Sequence, residues 1–101
     1  MSNNPDSASP GPTNLAALQA SRLREIGAYL RQVRLDQNQV IEAIAQETFI
    51  QVYQLRAIEA GDLSALPQAI YVQGFIKKFA IALGLNGKEI AAGFPTERSS
   101  K

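Results

Sequence analysis

The sequence predicts an all-α domain of five helices, the second and third arranged as a helix-turn-helix. Apolar residues recur at three- and four-residue intervals from about Leu15 onward, most plainly in Tyr71, Phe75 and Phe79, which stack along one helical face. Helix-stopping residues punctuate the pattern at Asn38, Gly61 and Gly84. No stretch alternates with the period of two that a half-buried strand requires, and no internal repeat is present.

Met1 to Asn14 is built of Ser, Asn, Pro and Gly with a single Asp6, too little apolar surface to order itself, so residues 1–14 read as a flexible lead. The domain proper is expected over 15–95. In the first helix Leu18, Leu23, Ile26, Leu30 and Val33 form the apolar stripe, firmest from Leu23 to Leu35, and Asn38 supplies the left-handed stop. The second helix carries Val40, Ile41, Ile44 and Ala45. Its entry has Val40 where a capping Ser, Thr or Asp is expected. Thr48 and Phe49 make the turn, and the third helix runs from about Gln51 to Ala60, burying Val52, Leu55 and Ile58, with Gly61 ending it. Leu63 to Leu66 forms a connector of one helical turn.

The fourth helix is expected from Pro67, which loses nothing in a first turn, to Leu83, followed by a left-handed Gly84. Phe79 belongs to the core because Ile76, Ala80 and Leu83 continue its face. Tyr71 and Phe75 either fill that core or stand outside it for a partner. Asn86 and Glu89 have the spacing of a capping box for a short fifth helix, packed by Ile90, Ala91 and Phe94 and ended by Pro95. Thr96 to Lys101 reads as a polar tail.

With 101 residues there is one small core and no room for a second. The chain has no cysteine and no histidine, so disulfides, thiolate metal sites, the usual general base and the commonest metal ligand are all missing. No glycine-rich phosphate loop exists. Carboxylates at Glu42, Glu47, Glu59, Asp62 and Glu89 are scattered as surface or capping groups. These features point away from an enzyme, a cofactor or a metal. The N-terminus lacks the basic start and apolar run of a signal peptide. The charge-free run from Leu63 to Ile76 is too short and polar to span a bilayer.

A helix-turn-helix raises DNA binding, with Gln51 and Gln54 placed to read adenine and Arg56 a guanine or a phosphate. The local charge opposes it. Between Asp36 and Leu66 five acids stand against Arg56 alone, a balance of −4 and the wrong sign for displacing counterions from phosphates. Lys77 and Lys78 are the basic pair nearest the aromatic face. They read either as partner contacts or as a solvated surface.

The run A-I-E-A-G-D-L-S-A-L-P, then Y-V-Q-G-F-I-K-K-F-A and a closing L-G-L, with I-G-A-Y-L-R-Q-V-R upstream, resembles the cytoplasmic N-terminal domain of the RodZ family of bacterial cell-shape proteins. The resemblance covers about Leu23 to Phe94. It implies a compact five-helix fold of the XRE/Cro type whose fourth helix docks on the bacterial actin MreB. Carried onto this chain, the contacts are Tyr71 and Phe75, with Lys77 and Lys78 beside them. Val40 departs from the family, which caps the second helix with Ser or Thr. Family members continue through a basic linker and a transmembrane helix. A cytoplasmic place is therefore implied, at the inner face of the membrane where the domain is part of such a chain. Major-groove DNA recognition and self-association through Phe75 are the alternative readings.

Overall fold

The computed structural model describes residues 12–97. Five helices follow one another: α1 (Pro12–Asp36), α2 (Ile41–Thr48), α3 (Val52–Ala60), α4 (Ala69–Ala82) and α5 (Gly87–Ala92), with a 3-10 turn at Leu63–Ala65 between α3 and α4. No strand occurs among the described residues. The fold is the predicted all-α helix-turn-helix domain.

The helix ends follow from local chemistry. Asn38, Gly61 and Gly84 all take the left-handed conformation, with φ of 58°, 70° and 81°. At Gly61 the Asp62 N–H reaches the Ala57 carbonyl (2.8 Å) and the Gly61 N–H reaches Ile58 (3.0 Å), the paired closure of a Schellman motif. The same pattern closes α1 at Asn38 and α4 at Gly84. Asn86 caps α5 by accepting from the Glu89 N–H at 3.1 Å. Val40 makes no side-chain cap, as its chemistry dictates.

Three boundaries differ from expectation. Helix α1 starts at Pro12, inside the stretch read as lead; Met1 to Gly11 and Arg98 to Lys101 lie outside the described residues. Pro67 is not in the first turn of α4. It precedes the N-cap Gln68, and Leu66 before it is extended (φ −114°, ψ 160°), as the residue ahead of a proline prefers. Thr96, read as the start of the polar tail, is buried.

The core gathers Leu23 and Leu30 of α1, Ile41 and Ile44 of α2, Leu55 and Ile58 of α3, and Phe94 beyond α5 around one face of α4. That face is Val72, Ile76, Phe79, Ala80 and Leu83, so Phe79, Ile76 and Leu83 are core residues as their spacing required. Leu18, placed on the stripe of α1, is instead exposed.

Helices α1 and α3 cross so closely that a methyl group at Gly27 would overlap the Ile58 carbonyl oxygen. Beside that crossing Arg34 Nε and Nη2 donate to the two carboxylate oxygens of Glu59 at 2.6 and 2.9 Å, a bidentate pair with side chains only 10% and 6% exposed. Arg34 Nη1 also donates to the Gln39 carbonyl at 2.8 Å, which fixes the loop leading into α2. The Glu59 hydrogen bond raises the Arg34 pKa against the opposing pull of burial, so the guanidinium stays charged.

Glu59→Gln leaves this buried cation without its counter-charge and should cost about 3 kcal/mol, read as a lowered urea midpoint. Gly27→Ala should destabilise by roughly 1–3 kcal/mol through overpacking, although alanine is the better helix former. Thermal melts followed by circular dichroism test it.

Candidate docking surface

On α4 the residues left outside the core divide into two flanks, because each step along a helix turns about 100°. Tyr71, Phe75 and Lys78 lie on the flank toward the α2–α3 turn. Lys77, one position before Lys78, lies on the other flank with Ile70 and Gly74, facing α5. The structure thus brings together three of the four expected contact residues and separates the fourth. Tyr71 is 58% exposed. Phe75 is half-buried, one side packed on the core, which fixes its ring as a rigid element of the surface.

This flank extends to a residue that sequence reasoning took only as part of a turn. Phe49 is 91% exposed and adopts φ 62°, a left-handed conformation that disfavours a side chain of its size. The turn holds it there. Phe49 N–H donates to the Ala45 carbonyl (2.9 Å), and Thr48 Oγ1 donates to Ile44 (2.7 Å) while accepting from Ile50 N–H (3.2 Å). Phe49, Lys78, Ile81 and Ala82, together with Glu47 and Thr48, line a groove of about 260 Å³. The signal lay in the turn itself: three residues between helices demand a left-handed stop, and phenylalanine stands where glycine or asparagine would be expected.

The residues of the DNA reading lie on the surface of the helix-turn-helix, with local contacts. The Gln54 side-chain oxygen accepts from the Gln51 N–H at 3.4 Å, half of the box that starts α3. Arg56 pairs with Glu42 across α2 and α3 at 3.4 Å. Asp62 accepts from Ser64 Oγ at 2.6 Å. Among the described residues no cluster of three or more acidic, histidine or cysteine side chains could hold a metal ion. No described helix is long and apolar enough to cross a membrane.

Because nothing in the fold covers the Phe49 ring, its replacement isolates the backbone. Phe49→Asn should stabilise the domain by roughly 0.5–1 kcal/mol, seen as a higher Tm.

Comparison with known proteins agrees with this fold. A family model described as a helix-turn-helix domain matches residues 29–90. Over 65 residues, 64% of this chain, the sequence is 37% identical to the cytoskeleton protein RodZ of Streptococcus pneumoniae (strain ATCC BAA-255 / R6). That stretch spans about a quarter (24%) of the relative's own length. No solved structure matches significantly. A five-helix fold, the helix-turn-helix at its centre and these two matches place the chain in the helix-turn-helix domain family, with a RodZ-like sequence.

Proposed function

We propose that the domain is a non-enzymatic docking module of bacterial cell-shape maintenance that binds the actin MreB through α4. The observation that carries this reading is the aromatic flank. Tyr71 stands exposed one turn from a core-anchored, half-buried Phe75, with the exposed Lys78 on the same side. Aromatic groups held rigidly and open to solvent concentrate interface energy, and a neighbouring cation selects a partner surface rich in carboxylates. Its place on the cytoplasmic side of the membrane belongs to the same proposal.

DNA recognition through Gln51, Gln54 and Arg56 is the second reading, which the helix-turn-helix favours and the acidic balance of residues 36–66 opposes. Arg56 faces Glu42 rather than a phosphate, and Gln54 serves the start of α3. A reader of the major groove needs those groups free and a positive field around them.

The test uses filaments. Purified domain is co-sedimented with polymerised MreB, and Tyr71→Ala combined with Lys78→Glu should weaken binding about tenfold or more, a change of ~1.4 kcal/mol or greater. Helical circular dichroism should remain unchanged, since neither side chain supports the core. Phe75→Ala is the poorer probe because it also removes packing. Undiminished binding by the double variant would overturn the α4 reading.

A further inference from the structure

The other flank of α4 forms its own surface. Ile70, Gly74 and Lys77 from α4 face Lys88, Ala91 and Ala92 from α5 across a groove of about 520 Å³. The positions 70, 74 and 77 repeat at helical spacing, and 88, 91 and 92 do so on α5, so two helix faces converge on one channel. Its apolar floor is exposed: Ile70 keeps 44% of its surface in water.

Three observations indicate what fits. The walls are preformed, because Gln73 Nε2 donates to the carbonyls of Ala91 (3.2 Å) and Phe94 (2.8 Å) and so ties α5 to α4. That bonding also occupies the only uncharged polar side chain of the lining, leaving no convergent set of groups to orient a small polar ligand. The charge is one-sided. Lys77 and Lys88 stand on opposite walls, no carboxylate lines the groove, and neither lysine takes part in the ion pairs of the described residues. Glu89 neighbours Lys88 in sequence but does not line the channel.

Gly74 is the third observation. A glycine in mid-helix is unfavourable, and here the fold does not ask for it: a Cβ at this position would meet nothing within 4 Å. Its effect is to lower the middle of the α4 face, where a second backbone can approach closely.

We propose that the α4–α5 groove is a second docking surface, built for an amphipathic helix of a partner protein that carries carboxylates beside its apolar stripe. The helix lies over Gly74, its apolar residues against Ile70, Ala91 and Ala92, its carboxylates reaching Lys77 on one side and Lys88 on the other. Recognition is of the helix-in-groove kind. A concave channel with a cation on each wall suits a helix better than a bilayer, which needs a protruding apolar face. The site is separate from the Tyr71 flank and does not depend on the function proposed for it.

The experiment titrates the isotopically labelled domain with two synthetic amphipathic helical peptides that share one leucine stripe, flanked in one by Glu and in the other by Lys. Expected are amide shifts centred on Ile70, Gly74, Lys77, Lys88, Ala91 and Ala92, and an affinity at least tenfold higher for the Glu peptide. Gly74→Leu should lower that affinity tenfold or more while the domain stays folded. Gly74→Ala should raise the Tm by about 4 °C. Exchanging both lysines for Glu (Lys77→Glu with Lys88→Glu) should reverse the preference to the Lys peptide, an effect that a merely structural role would not produce. Equal binding of both peptides, shifts centred on Tyr71 and Phe75, wild-type binding by Gly74→Leu, or binding of phosphatidylglycerol vesicles in place of the Glu peptide would each overturn the proposal.

Discussion

The α1 backbone runs directly against the Ile58 carbonyl at Gly27, and most of the architecture depends on that approach. A side chain there would force the helices apart and lengthen the reach from Arg34 to Glu59, two turns further along α1. At the observed separation the guanidinium meets both carboxylate oxygens and still donates to the Gln39 carbonyl. One close contact between backbones thereby fixes the angle of α3 on α1 and the entry into α2. The core face of α4 then fills the space enclosed by these three helices, with Phe79 and Ile76 fully buried. What is left of α4, its two outer flanks, is left because the core has no further room.

A helix-turn-helix is a packing solution before it is a DNA-reading device. In this chain the helix that would enter a major groove pairs Arg56 with Glu42 on the open surface and turns the Gln54 side chain back to its own first turn. Exposed apolar side chains stand at the turn and on α4, at Phe49, Ile70, Tyr71 and Ile81, and also on α3 at Tyr53 and on α1 at Tyr29. The same fold thus leaves aromatic side chains in water on α4, while two acids of the helix-turn-helix, Glu42 and Glu59, are held in ion pairs with Arg56 and Arg34.

Much of this was legible in the residues. Helical spacing identified the buried face of α4, and Asn38, Gly61 and Gly84 marked three helix ends through their tolerance of positive φ. Other features rest on tertiary context that a linear reading lacks. Pro67 is compatible both with a first turn and with the residue ahead of a cap, and only the path out of the 3-10 turn selects the second. Lys77 and Lys78 look like one basic patch in sequence, yet 100° of rotation puts them on different flanks. Phe49 was visible as a turn residue, but its strain and its full exposure emerge only once α2 and α3 are placed. Gly27 and Gly74 are indistinguishable as mid-helix glycines until the neighbouring atoms are known: one is pressed against a carbonyl, the other faces open space.

The first half of α1 carries a consequence for the dynamics of the domain. Its side chains reach the segment that follows α5, Gln19 donating to the Pro95 carbonyl at 2.9 Å and Arg22 to Gly93 at 3.3 Å, across more than seventy residues. These turns of α1 are therefore stitched by a segment that a ribosome delivers only after the helices between them. During synthesis they must wait uncovered until residues 93–95 emerge. In the folded domain, opening of that segment and fraying of the first turns of α1 become a single cooperative event, a foldon assembled from the first and last described elements of the domain.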